Sequence, residues 1–165
     1  MKNQPLTPAS RFDLASVTKQ FTTSAIMILK GRGLLHVEDD IGVYFPGIPY
    51  SGVSVKMLMN HTGGLPDEDW CVQYLDDKSK PIDNDTLLDL VMSKPPQPIF
   101  SPGEGWMYSN LAYELLAMIV ERVSGIGFEG FLRDEIFLPA GMSETSVRHR
   151  YSGLPALPDA TSIYL

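Results

Sequence analysis

From Ser16 onward the apolar positions fall on a helical repeat. Val17, Phe21, Ala25 and Ile28 stand at i, i+4, i+8 and i+11, and Ile26 and Leu29 widen the same face. The pattern predicts a mostly buried helix that stops at Gly31 and Gly33, because glycine readily takes the backbone conformation that closes helices. Ahead of it, Leu6 to Ala15 opens as a turn-rich segment. It then passes into Arg11-Phe12-Asp13-Leu14, a short alternation that fits a strand or an extended lead-in. Leu34 to Tyr50 has turn signals at Pro46-Gly47 and Pro49 and reads as a connecting loop. A short helix over Val53 to Asn60 would turn Val55, Leu58 and Met59 inward. His61-Thr62-Gly63-Gly64-Leu65-Pro66 must then be a loop, since two glycines and a proline permit little else.

In the second half, Asn84 or Asp85 is placed to cap a helix running through Ser93, with Leu87, Leu88, Leu90 and Val91 apolar. Pro95, Pro96 and Pro98 close it. Ser101-Pro102-Gly103-Glu104-Gly105 is a turn that delivers Trp106-Met107-Tyr108-Ser109-Asn110. Leu111 to Val123 is apolar almost all round and stops at Ser124-Gly125, so this helix belongs inside the domain. Phe128 to Phe137 reads as a further amphipathic helix, ended near Pro139 and Gly141. Beyond Ser146 the chain is rich in glycine and proline and has no clear period. Few segments read as strands, so the pattern describes a helical lobe with loops and not a complete α/β sandwich.

Composition narrows the functional classes. The 165 residues suffice for one domain with a buried core, and 44% hydrophobic with 20% charged residues is a globular balance. A net charge of −7 supplies no electrostatic reason to bind nucleic acid or an anionic membrane. Cys71 is the single cysteine, which excludes an intrachain disulfide and a metal site built on several thiolates, and it reads as a packed or half-exposed thiol. His36, His61 and His149 are too widely separated for a paired helical metal site, and no metal or cofactor is expected. No stretch approaches the ~20 apolar residues of a membrane helix. Met1 to Pro8 is polar and lacks the apolar core of a signal peptide.

Chemistry concentrates in two places. Ser16-Val17-Thr18-Lys19 is an S-x-x-K tetrapeptide at the start of the first predicted helix, and one turn of helix brings the amine beside the hydroxyl. Partial burial favours the neutral amine that can exchange a proton with the serine. The free N–H groups at a helix start favour negative charge developing on an attacked carbonyl. Taken alone, the same residues read more simply as a helix cap and a solvated lysine, and the tetrapeptide by itself does not decide the matter. In Tyr108-Ser109-Asn110, a tyrosine held near a cation can act as a base, and an Asn amide both donates and accepts. The plainer alternative is an aromatic anchor followed by a Ser/Asn cap; Asn110 could do both, capping the long helix while facing a cleft.

Together with their surroundings these phrases resemble the class C β-lactamase and penicillin-binding-protein family, which includes D-alanyl-D-alanine carboxypeptidases and esterases. The matching phrases are Phe12-Asp13-Leu14-Ala15-Ser16-Val17-Thr18-Lys19-Gln20-Phe21-Thr22, the His61 to Pro66 loop, Ser101-Pro102-Gly103-Glu104 leading into Tyr108-Ser109-Asn110, and Ile136-Phe137-Leu138-Pro139-Ala140-Gly141-Met142. The resemblance implies an α+β fold of which this chain covers mainly the helical lobe, over residues 1–146, followed by a Pro/Gly-rich tail at 147–165. It implies Ser16 as the acylated nucleophile with its backbone N–H as an oxyanion donor. Lys19 would be its proton partner, Tyr108 would assist proton transfer to the leaving group, and Asn110 would bind the substrate amide and steady Lys19. His61 is expected to shape its loop through side-chain hydrogen bonds, and Trp106 to pack near the cleft rim.

The family's third element, a Lys-Thr-Gly or His-Thr-Gly triplet on a strand, has no counterpart after Asn110. His61-Thr62-Gly63 lies before the second motif on a predicted loop and is not a substitute. Two readings therefore stand: a serine acyl hydrolase or transferase acting on a small-molecule or peptide amide, β-lactam or ester, and a truncated, non-catalytic binding or assembly module. The surface that faces the family's sheet would in this chain be open to association. The resemblance implies a periplasmic or extracellular location.

Overall fold

A computed structural model describes residues 5–7, 10–74, 83–147 and 160–161. Apart from Val147, Ala160 and Thr161, the expected tail at 147–165 lies outside the described residues, as does His149. The lead-in forms a two-residue strand, β1 (Arg11–Phe12), paired in parallel with β2 (Ala160–Thr161). A 3-10 turn at Ala15–Thr18 then runs directly into helix α1 (Lys19–Gly31). Val17, expected on the buried face, is 55% exposed. The tighter winding has about 3.0 residues per turn against 3.6, so the α-helical phase begins only at Lys19. The face that does go inside carries Thr22, Ala25, Ile26 and Leu29, with Phe21 and Ile28 half-buried beside it.

Gly33 closes α1 at φ +72°, and the Leu34 N–H donates back to the Leu29 carbonyl. The following connection is no peripheral loop, because Leu35, Ile41, Phe45, Ile48 and Tyr50 enter the core. Asp40 organises it: its carboxylate accepts from the N–H groups of Gly42 and Gly52, both at 2.7 Å. Helix α2 (Val55–Met59) is shorter than its apolar pattern because Ser54 serves as its cap, accepting from the Met57 N–H. Helix α3 (Asn84–Ser93) is capped by Asp83, not by Asn84 or Asp85. The Asp83 backbone is extended while Asn84 is already helical, which leaves Asp85 in the first turn to complement the helix dipole.

Helix α4 (Asn110–Ser124) is the centre of the molecule, with Leu111, Leu115, Leu116, Ile119 and Val120 wholly shielded from solvent. Side chains of this size contribute roughly 1.5–3 kcal/mol each when fully buried. Gly125 ends the helix in the left-handed conformation at φ +70°. Helix α5 (Phe128–Leu132) continues without interruption into a π-helical turn at Arg133–Phe137, so the expected single helix is wound in two ways. That turn sets Phe137 edge-on to Phe21 of α1, with ring centroids 5.2 Å apart. Helices α1, α2 and α5 pack around α4. Among the described residues no helix is long and apolar enough to cross a membrane.

Candidate active site

Two chain segments converge at the starts of α1 and α4. On the first, the Asp13 carboxylate accepts the Ala15 N–H at 2.9 Å, and the Leu14 carbonyl accepts the Val17 N–H at 2.9 Å. Ala15 is carried at φ +43°, a region that a residue with a Cβ seldom enters. In the 3-10 turn that follows, side chains three apart eclipse one another. Lys19 therefore stands over Ser16, with Nζ 3.4 Å from the serine Oγ. Ser16 is exposed and Lys19 half-buried.

The second segment is laced to the 61–66 loop. The Ile99 N–H donates to the Gly64 carbonyl at 2.8 Å, Gly103 to Thr62 at 2.8 Å, and Met107 to His61 at 3.0 Å. Gly64 has φ +76°, and a Cβ there would lie 2.1 Å from the Phe100 carbonyl oxygen, so the position admits only glycine. Ser109 is buried; its hydroxyl donates to the Pro66 carbonyl at 2.9 Å and accepts the Ala112 N–H at 3.1 Å. Ser109 is thus the cap of α4, which corrects the expectation of a capping role for Asn110. Asn110 is the first helical residue, its N–H held by Asp67 at 2.9 Å, which leaves its side chain available to the cleft.

The sequence-predicted groups come together. The Ser16 Oγ and the Tyr108 hydroxyl are 2.6 Å apart and share one hydrogen bond. Lys19 Nζ donates to Asn110 Oδ1 at 2.6 Å. With the amide oxygen turned to the ammonium, the Asn110 Nδ2 donors are left for another acceptor. Lys19 also lies 4.8 Å from the ring centre of Tyr108 and 5.3 Å from that of Tyr113, where the aromatic faces favour a cation. The arrangement can pass a proton from a serine hydroxyl into a phenol–amine pair while an amide holds the amine in place.

His61 reaches beyond its own loop. Its Nδ1 accepts the Ser109 N–H at 3.2 Å, and its ring stacks on Tyr108 at 4.7 Å and on Tyr113 at 5.2 Å. Burial first, and the Lys19 charge second, hold the imidazole below its ordinary value, with Asp67 opposing them. Trp106 stands edge-on to His61 but is 64% exposed, so it borders the cleft and is not packed within it. Cys71 is buried.

Asp67 and Tyr113 were not singled out by sequence reasoning. Tyr113 donates its hydroxyl to the Met59 carbonyl at 2.9 Å and lies 3.2 Å from the Thr23 hydroxyl. Its spacing of three from Asn110 placed it on the same helical face, a usable signal. Asp67 offered none: it is an acidic residue in a loop.

The Beta-lactamase family model matches residues 1–161. A penicillin-binding protein of Bacillus subtilis (strain 168) is 43% identical over 150 residues, covering 90% of this chain and 33% of the relative. A solved beta-lactamase/D-alanine carboxypeptidase from Yersinia pestis, complexed with citrate, superposes with a TM-score of 0.75 at 30% identity, over 88% of this chain and 43% of its own. The D-amino acid amidase of Ochrobactrum anthropi SV3, complexed with L-phenylalanine amide, gives a TM-score of 0.72 at 30% identity, over 85% of this chain and 40% of its own. The chain spans about a third of the length of the curated relatives it matches.

Proposed function

The chain belongs to the beta-lactamase family, and from that premise we propose that it carries the nucleophile-bearing part of a serine acyl hydrolase. The observation that carries the proposal is the 2.6 Å contact between Ser16 Oγ and the Tyr108 hydroxyl, with Lys19 linking the serine to Asn110. The substrate class is an amide, β-lactam or ester carbonyl, in keeping with the amidase and carboxypeptidase names of the solved relatives.

In this reading Ser16 Oγ attacks the carbonyl carbon as its proton passes to the Tyr108–Lys19 pair. The carbonyl oxygen gains the negative charge and meets the Ser16 backbone N–H, which lies in the first turn where helix N–H groups lack intrahelical partners. Collapse of the tetrahedral adduct breaks the bond to the leaving group, which takes the proton back from the same pair and departs. Water or another acceptor then attacks the acyl carbon as its proton passes to the same pair, the bond to Ser16 Oγ breaks, and Oγ recovers that proton to free the enzyme. Asn110 Nδ2 donates to the substrate amide while Oδ1 keeps Lys19 in register.

The test is reaction with a fluorophosphonate, followed by intact mass. One adduct is expected on the unaltered chain and none on Ser16→Ala. Tyr108→Phe and Lys19→Met should slow labelling by on the order of 10²–10⁴-fold, the range for a lost proton-transfer group. Folded protein that stays unlabelled would refute hydrolysis by this chain and leave the binding or assembly reading in its place.

A further inference from the structure

His61 occupies a place that the proposed chemistry does not explain. Its backbone sits at φ +60°, which costs every residue but glycine. The return on that conformation is a set of contacts that bracket one residue. The His61 carbonyl accepts the N–H of Met107, and its Nδ1 accepts the N–H of Ser109, so the same residue holds both chain neighbours of Tyr108. Its ring lies against the Tyr108 ring at an interplanar angle of 31° and against Tyr113 at 36° on α4. We infer that His61 is a positioning residue that aims the Tyr108 hydroxyl at Ser16, and that it does so only while Nδ1 carries no proton. The relevance of this to catalysis rests on the role proposed above for Tyr108.

The chemistry of the contact requires the neutral ring. Nδ1 faces a donor, the Ser109 N–H, so a proton on Nδ1 would set two donors against each other. It would also bring a second cation close to Lys19, which faces the ring from α1. Asp67, on the adjoining loop, is the charged group that favours protonation, and Tyr108 and Tyr113 complete the titratable groups facing the imidazole. Burial and Lys19 outweigh Asp67, so the ring is neutral at and above its ordinary value of 6.5. Acidification below that value should therefore protonate the ring and displace Tyr108.

Two variants separate position from mere folding. His61→Asn tolerates a positive φ, and its Oδ1 stands where Nδ1 stood, so it keeps the bond to Ser109 and loses the titration. His61→Gly also tolerates the backbone but has neither acceptor nor ring. Nitrogen-15 NMR of the unaltered chain should find His61 with its proton on Nε2 at neutral pH. The Tyr108 ring resonances should shift with the same midpoint as His61, and this shift should be absent in His61→Asn. Fluorophosphonate labelling at neutral pH should be largely retained in His61→Asn and fall by about 10²-fold in folded His61→Gly, the cost of a misplacement near 1 Å. A proton on Nδ1 at neutral pH, Tyr108 resonances indifferent to the His61 titration, or His61→Gly labelling at the unaltered rate would each overturn the inference. If the NMR signature is present and the unaltered chain is not labelled, the hydrolase reading fails and the positioning of Tyr108 by His61 stands.

Discussion

Lys19 is the residue on which the site's electrostatics turn. It lies at the start of α1, where the helix dipole disfavours a cation, and it is compensated by Asn110 Oδ1 at 2.6 Å and by two aromatic faces. Asn110→Ala removes the shortest of these contacts together with the donor proposed for the substrate. Fluorophosphonate labelling should fall by on the order of 10²-fold, as for loss of a donor to a developing charge, and stopped-flow labelling rates would check this. The thermal midpoint should move little, because Ser109 and not Asn110 caps α4. The pairing of Ser16 with Lys19 was legible in the sequence because a spacing of three is a local relation, fixed by one turn of helix. The meeting of Lys19 with Asn110, and of His61 with Ser109, spans 91 and 48 residues and depends on how helices pack. Only the resemblance to known phrases anticipated the first of these, and the loop-crossing reach of His61 had no local signature.

At the scale of elements, the helices were legible from their apolar repeat, and α4 most of all because it is apolar almost all round. What the period did not carry was winding. The 3-10 turn before α1 moved Val17 out to solvent, and the π-helical turn after α5 placed Phe137 against Phe21. Nor did periodicity announce that the connection from Leu34 to Tyr50 lends side chains to the core, since irregular backbone buries residues without a repeat. The contact between the 61–66 loop and the 99–110 segment is the most demanding of these arrangements. Gly64→Ala would set a methyl group against the Phe100 carbonyl and force a strained φ. We expect a loss of about 3 kcal/mol or more, from strain and overpacking together, measured as a shift in urea midpoint. Labelling should suffer with it, because the same loop carries His61.

Across the whole molecule, the proposed chemistry lies where the first turns of α1 and α4 meet, on the edge of a core built around α4. Two helix starts and an ammonium there all favour negative charge on a bound carbonyl. The pH dependence of stability follows from the groups shifted on folding. His61 is held below 6.5 in the folded chain, so its contribution is present above that value and is lost as the pH falls toward its folded value. Asp39, Asp83 and Glu135 are held below their ordinary carboxylate values by hydrogen bonds. Their contributions are present above those values and are lost at still lower pH. Stability followed by denaturation at a series of pH values should therefore decline from about 6.5 downward, and His61→Asn should remove the His61 share of that decline while leaving the carboxylate share. The extra residue per turn at Arg133–Phe137 has its own consequence. A relative lacking one residue there can wind as ordinary helix and still bring Phe137 to the same face, because the wide turn spends one more residue on nearly the same rotation. Proteins that keep the Phe21–Phe137 contact should accordingly differ in length here by a single residue at most, with ordinary helix wherever that residue is missing.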